Sequence, residues 1–184
     1  MVTKLDIKRY GGWYHRAHER LVREFGEDAD LFADVLAATS PRVSVKKNWR
    51  AACRLYEKWR ADGVVALWLA PMKTHHPNVI RAFNREPLSG PKVQRFAANL
   101  KGDFNVVTID VWMCKYFDVE HQRLSKSLYR ELERKVKDCA RKHGCEPCEY
   151  QAAAWTVTRL KAGFKPSSFL SAAEDDRQMR WEWA

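Results

Sequence analysis

No stretch of this sequence is apolar for long enough to span a bilayer, and its opening residues, MVTKLDIKRYGG, contain no apolar core of signal-peptide length. The expectation is a soluble cytoplasmic protein, nucleoid-associated in a bacterial or phage setting, with no membrane partner. Cysteine is scarce and odd in number, at positions 53, 114, 139, 145 and 148. That is not the paired framework of a secreted disulfide protein, so reduced thiols are expected. The sequence also lacks a strong zinc pattern. Cys139, Cys145 and Cys148 beside His143 do not form two separated CxxC pairs, and Gly144 and Pro147 explain the segment as a corner between helices. His75-His76 before Pro77 reads as loop, and His15 with His18 has no third ligand nearby in sequence. Neither metal nor other cofactor is expected. No internal repeat, low-complexity segment or linker is visible.

What the chain does contain is bulky apolar material and positive charge. Eight Trp, eight Phe and six Tyr in 184 residues suit a packed interior. Lys and Arg outnumber Asp and Glu by 33 to 23, a formal charge of +10 spread along the chain, which favours a polyanionic partner such as nucleic acid. The apolar spacing is helical over Trp13 to Phe25, with Gly26 as its stop. A second helix, LFADVLAATS, follows acidic residues suited to a helix start and ends at Ser40-Pro41. Ser44 caps a third, whose outer face carries Lys46, Lys47, Arg50 and Arg54. The segment VVALWLAPM after Gly63 is ambiguous and is taken as helix. Pro77 opens NVIRAF; Ser125 caps a long basic helix that stops at Gly144; Pro147 starts a last helix, which ends near Gly163. Trp181 and Trp183 are expected to dock the C-terminal residues on the body. The sum is an all-α protein of eight to ten helices. It is read as one compact unit over 1–184, with one lobe at 30–117 and a second made of 1–29 and 118–184; a monomer is expected.

The stretch GPKVQRFAANLKGDFNVVTIDVWMCKYF, residues 90–117, is the candidate for chemistry. Gly90-Pro91 opens a helix with Lys92 in its first turn. A β-like run, Val106 to Ile109, then leads to Asp110, which caps the helix beginning Val111-Trp112-Met113. An amine and a carboxylate are thus each held at a helix start. The bland alternatives are a solvated lysine touching phosphate and an ordinary N-cap aspartate.

This stretch resembles the helix-hairpin-helix DNA glycosylases, the superfamily that includes endonuclease III and 8-oxoguanine DNA glycosylase. GPKVQRFAANL followed by VVTIDVWMCKYF is similar to that family's hairpin lysine helix, extended run and catalytic aspartate. DLFADVLAATSPRVSVKKNWRAACRLY resembles its early helix, wedge loop and following helix, and Gln151 with Trp155 in YQAAAWTVTRL matches a Gln and an aromatic four residues later that line the base pocket in the oxoguanine branch. Leu88, Ser89 and Gly90 stand where the family usually has Gly-hydrophobic-Gly, and the iron-sulfur cysteine array of some members is absent.

The resemblance implies a two-lobed helical bundle of the glycosylase type, acting on double-stranded DNA. It implies cleavage of the N-glycosidic bond of a damaged or modified base flipped out of the stack, with Asp110 stabilising positive charge on the sugar. Lys92 would attack C1′ to give a Schiff base and strand cleavage, or leave the attack to water. Gln151, Trp155, Phe96 and Trp112 would form the base pocket. Thr39, Ser40, Pro41 and Arg42 would form the wedge loop, and Lys46, Lys47, Ser89 and Gly90 would contact the backbone. The setting would be base excision repair or the processing of modified phage DNA. Two other readings stay open: a DNA-binding protein on this scaffold that does no chemistry, and an enzyme acting on a free nucleotide.

Overall fold

In the computed structural model, which describes residues 2–167 and Phe169, the protein is all-α. Nine α-helices are present among the described residues: α1 Lys4–Tyr10, α2 Trp13–Phe25, α3 Ala29–Ala38, α4 Val45–Asp62, α5 His76–Phe83, α6 Pro91–Leu100, α7 Val111–Tyr116, α8 Lys126–His143 and α9 Pro147–Lys161. None of them is long and apolar enough to cross a membrane. Their starts follow the capping chemistry of the sequence. Ser44 accepts from the Lys47 amide, Ser125 from Leu128, and Pro77 and Pro147 sit in the first turns of α5 and α9. Helix α1 was not expected. It is opened by a capping box in which Thr3 and Asp6 satisfy each other's backbone amides, a T-x-x-D signal present in the sequence.

The described residues divide into two compact units, one comprising the chain up to His18 and Ala98–Pro166, the other Glu19–Ala97 with Ser167 and Phe169. The boundaries therefore fall inside α2 and α6 rather than at 29/30 and 117/118. Apolar periodicity runs unbroken through both helices, so the pattern offers no mark where the chain passes from one unit to the other.

In the first unit, Ile109, Met113, Tyr129, Leu132, Val136, Tyr150, Ala153 and Ala154 build the core beneath α7, α8 and α9. The run from Val106 to Ile109 forms no strand among the described residues. Side chains take the place of a ladder. Tyr129 accepts from the Ile109 amide and donates to the Val107 carbonyl, both at 3.0 Å. Asn99 donates to the Asp103 and Val106 carbonyls at 2.9 and 3.0 Å and accepts from the Thr108 hydroxyl at 2.9 Å. Buried backbone groups are thereby satisfied without a sheet, and Asp110 follows a pinned segment.

In the second unit, Phe25 stacks on Phe32 at 3.7 Å, and Trp49 and Tyr56 meet Phe32 edge-on at 5.3 and 5.6 Å. Full burial of side chains such as Phe32, Leu36 and Leu55 stabilises the fold by roughly 1.5–3 kcal/mol each. Asp28 ties this core's edge, accepting from Tyr56 at 2.9 Å and pairing with Arg60 and Arg85 at 3.0 and 3.3 Å. The segment after Gly63 is not the helix expected of VVALWLAPM. Only a 3-10 turn, Leu67–Leu69, forms there, and Trp68 stands 72% exposed. Trp181 and Trp183 lie outside the described residues.

Candidate functional site

The Asp110 carboxylate is held by groups from two helices. As N-cap of α7 its Oδ1 accepts from the Trp112 and Met113 amides at 2.9 and 3.0 Å. Its Oδ2 accepts from the indole Nε1 of Trp155 at 2.9 Å. Three donors from two helices therefore fix the carboxylate, where a plain N-cap needs only its own helix. Trp155, half-buried on α9, lies one turn after Gln151 and one turn before Arg159, so the three share one helix face. Gln151 is 2% exposed, and its Oε1 has no hydrogen-bond partner.

Arg159 had no role in the sequence reading. Its guanidinium lies 4.3 Å from the Trp155 ring centre, 5.7 Å from Trp112 and 5.4 Å from Phe164. Burial weighs against its charge and lowers its pKa, while the Asp110 carboxylate acts the other way. Trp112 meets Phe164 edge-on at 5.2 Å, and the Lys115 amine stands 4.4 Å over the Trp112 ring. Trp13 approaches Trp155 at 6.5 Å. The expected pair Trp112 and Trp155 is thus brought to Asp110. The i, i+4, i+8 spacing of Gln151, Trp155 and Arg159 sets the third member on the same face of α9, but the spacing alone does not say which rings it meets.

In the second unit the expected residues gather differently. The Lys92 amine donates to the Ser40 hydroxyl, which donates in turn to the Ala37 carbonyl at 2.8 Å, and the amine stands 4.9 Å over the Phe96 ring. The sequence separates Lys92 and Ser40 by fifty-two residues. His75 joins this cluster unforeseen. Its Nε2 donates to the Pro41 carbonyl at 3.0 Å, which leaves the buried Nδ1 without a partner. Burial foremost pushes its pKa down, with Lys92 and His76 adding to the effect and the bond to Pro41 opposing it.

Three expectations here are corrected. Thr39 does not present itself to DNA: it is fully buried, with its hydroxyl directed to the Val35 carbonyl at 2.9 Å and to Asn48 Oδ1 at 2.7 Å, locking α3 to α4. Phe96 is 8% exposed and packs in the interior with Phe169 at 6.2 Å, so the ring expected to stack on a base is a core residue. The Ser89 amide, expected to grip phosphate, donates instead to Asn78 Oδ1 at 2.7 Å, and Asn78 Nδ2 returns a bond to the Ser89 carbonyl at 3.0 Å. Gly90 has φ of 97° with open space around it, so the backbone and not crowding asks for glycine. Arg42, Lys46 and Lys47 are exposed, and Arg42 adopts φ of 60°.

The cysteines 139, 145 and 148 do not converge with His143, whose Nδ1 donates to the Cys139 carbonyl at 2.8 Å. A different trio, His15, Glu146 and Cys148, places its donor atoms within 4.8 Å of one another, with His15 Nε2 and Glu146 at 2.7 Å. Burial foremost, and then the carboxylates of Glu146 and Glu149, push the Cys148 thiol well up.

The profile of DUF7178, described as a family of unknown function, matches residues 1–162. The chain belongs to the DUF7178 family. No curated protein and no solved structure matches it. The matched residues of this DUF7178 member include both clusters, from Ser40 and Lys92 to Asp110, Trp155 and Arg159.

Proposed function

We propose that this DUF7178 protein is a DNA glycosylase that releases a damaged or modified base from a flipped-out nucleotide. The observation that carries this reading is the carboxylate of Asp110, held by two α7 amides and the Trp155 indole. A flipped base leaving the sugar takes the bonding electron pair with it, and positive charge develops at C1′. A carboxylate already oriented by its donors stabilises that charge without reorganising. Gln151 supports the reading from the same face of α9, since its buried, unpartnered amide oxygen awaits a donor such as a base edge supplies. The basic composition suits a DNA substrate.

A second activity is assigned to Lys92. It is separate from the carboxylate's: the amine would condense with the open-chain C1′ aldehyde of an abasic site, water leaving as the imine forms, and so open the route to strand cleavage. The Ser40 hydroxyl that engages this amine supports a positioned rather than a freely solvated lysine.

The test is incubation with duplexes carrying a panel of altered bases, read as abasic sites. Asp110→Asn is expected to lower excision by at least about 100-fold, on the scale of losing one preorganised electrostatic group. Excision that survives Asp110→Asn removes the assigned role of Asp110. Borohydride trapping of a covalent adduct, lost in Lys92→Gln, tests the lyase step; excision with no trappable adduct leaves water as the nucleophile. Salt-sensitive binding with no product on any duplex favours the non-catalytic DNA-binding reading.

A further inference from the structure

Arg159 combines partial burial with the lack of an ion pair among the described residues. The arginines Arg60 and Arg85 pair with Asp28, Arg123 with Glu120 and Arg141 with Asp138. Arg159 is half-buried, makes no ion pair with any described residue, and has a buried Nε without a hydrogen-bond partner. The Asp110 carboxylate influences it, but both its oxygens are already engaged by the Trp112 and Met113 amides and by Trp155. A half-buried guanidinium with no ion pair among the described residues is costly. The faces of Trp155, Trp112 and Phe164 offset only part of that, on the order of 0.5–2 kcal/mol per contact. A ring face also consumes none of the N–H donors. The cage holds the fork still and leaves its terminal nitrogens to bond something else. Lys115, exposed and likewise without an ion pair among the described residues, brings a second cation to the same Trp112 ring.

We infer that Arg159 and Lys115 form a phosphate-binding pair organised on Trp112, which holds the phosphate of the nucleotide whose sugar faces Asp110. The inference rests on reading the surroundings of Asp110 as a nucleotide site, and it adds residues that the resemblance does not supply. The guanidinium fork matches a tetrahedral oxyanion through two parallel hydrogen bonds, and the ammonium adds a mobile point charge. The phosphate belongs either to a DNA backbone or to a free nucleotide.

The experiment is fluorescence anisotropy with a labelled duplex that contains a tetrahydrofuran abasic site, repeated across a salt series, on the wild type and on Arg159→Gln, Arg159→Lys and Lys115→Gln. Each Gln variant is expected to bind about 10-fold more weakly, with the slope of log affinity against log salt reduced by about one. Arg159→Lys is expected to keep the slope and lose part of the affinity, because a point charge replaces a fork. Competition by millimolar thymidine 5′-monophosphate or inorganic phosphate, seen in the wild type and lost in Arg159→Gln, identifies a free nucleotide or phosphate as the source. A slope change without such competition identifies the DNA backbone. Folded Gln variants with unchanged affinity and slope overturn the inference. Should Arg159→Gln fail to fold, Lys115→Gln at its exposed position decides alone. The readout is binding, so the two readings fail separately. Duplexes that are never cut but whose binding loses the slope sink only the glycosylase, while excision with intact binding in both Gln variants sinks only the phosphate pair.

Discussion

At the scale of single residues, Gln151 separates a structural role from a ligand-facing one. A buried amide oxygen without a donor costs the fold about 1–3 kcal/mol, since its water is gone and nothing replaces it. Methionine has the same reach and no polar atom to satisfy. Gln151→Met is therefore expected to leave the thermal unfolding midpoint unchanged or a few degrees higher, while lowering base excision or the preference for an altered duplex by about 10-fold or more. A loss of more than about 2 kcal/mol in urea unfolding would show that the amide serves the fold and would remove it from the base pocket. How far such residues can be read in advance depends on where their partners lie. Asp110 announces itself locally, as an aspartate directly before an apolar helix. Its third donor does not, because Trp155 comes from forty-five residues away. Arg159 was invisible for the same reason. Its meaning depends on Trp112, Trp155 and Phe164 closing around one guanidinium, and only tertiary structure brings them together.

At the scale of elements, capping and stop signals located most helices, and the failures share a cause. Helices α4, α8 and α9 are marked at both ends by Ser, Pro or Gly, and their apolar spacing spans several turns. The segment after Gly63 is short and apolar with Pro71 near its end, so helix and irregular turn were equally compatible with it, and the structure forms only Leu67–Leu69. The connection between α5 and α6 was also misjudged, because its order comes from side chains outside it. Asn78 bonds both the amide and the carbonyl of Ser89, Gln94 donates to the Leu88 carbonyl at 2.7 Å, and Arg81 reaches the Pro87 carbonyl at 3.3 Å. Ser89 is exposed, so its amide exchange rate reports directly on the Asn78 bond. Asn78→Ala is expected to speed exchange at Ser89 by about 5-fold or more, as a hydrogen bond worth about 1 kcal/mol is lost. Exchange unchanged by the substitution would mean that the loop is held by its flanking contacts and that Asn78 is incidental. Should Asn78→Ala also strengthen DNA binding, the Ser89 amide returns as a phosphate contact once its internal partner is gone.

At the scale of the whole molecule, helix content followed directly from periodicity, whereas the division into units did not, because α2 and α6 are each shared between them and carry no composition shift at the crossing. Charge is the other property that only the entire chain defines. The excess of ten positive charges is distributed through the sequence, and candidate contacts occur in both units, Arg42, Lys46 and Lys47 in one and Lys115 and Arg159 in the other. A polyanion that meets several of these releases one condensed counter-ion for nearly every phosphate neutralised. Three such contacts within one unit, Arg42, Lys46 and Lys47, correspond to a slope of about −2.7 for log affinity against log salt, and hence to a loss of roughly 40-fold between 50 and 200 mM monovalent salt. A short duplex without any altered base should show this dependence, since the term is independent of sequence. An altered base should add affinity without steepening the slope, because base-edge bonds release no phosphate counter-ions. Anisotropy titrations on the two duplexes measure both quantities. A slope shallower than about −2 on the unmodified duplex would mean that the basic surface is not used against DNA. The positive charge would then serve solubility, and a small anionic substrate at Asp110 would become the reading to pursue.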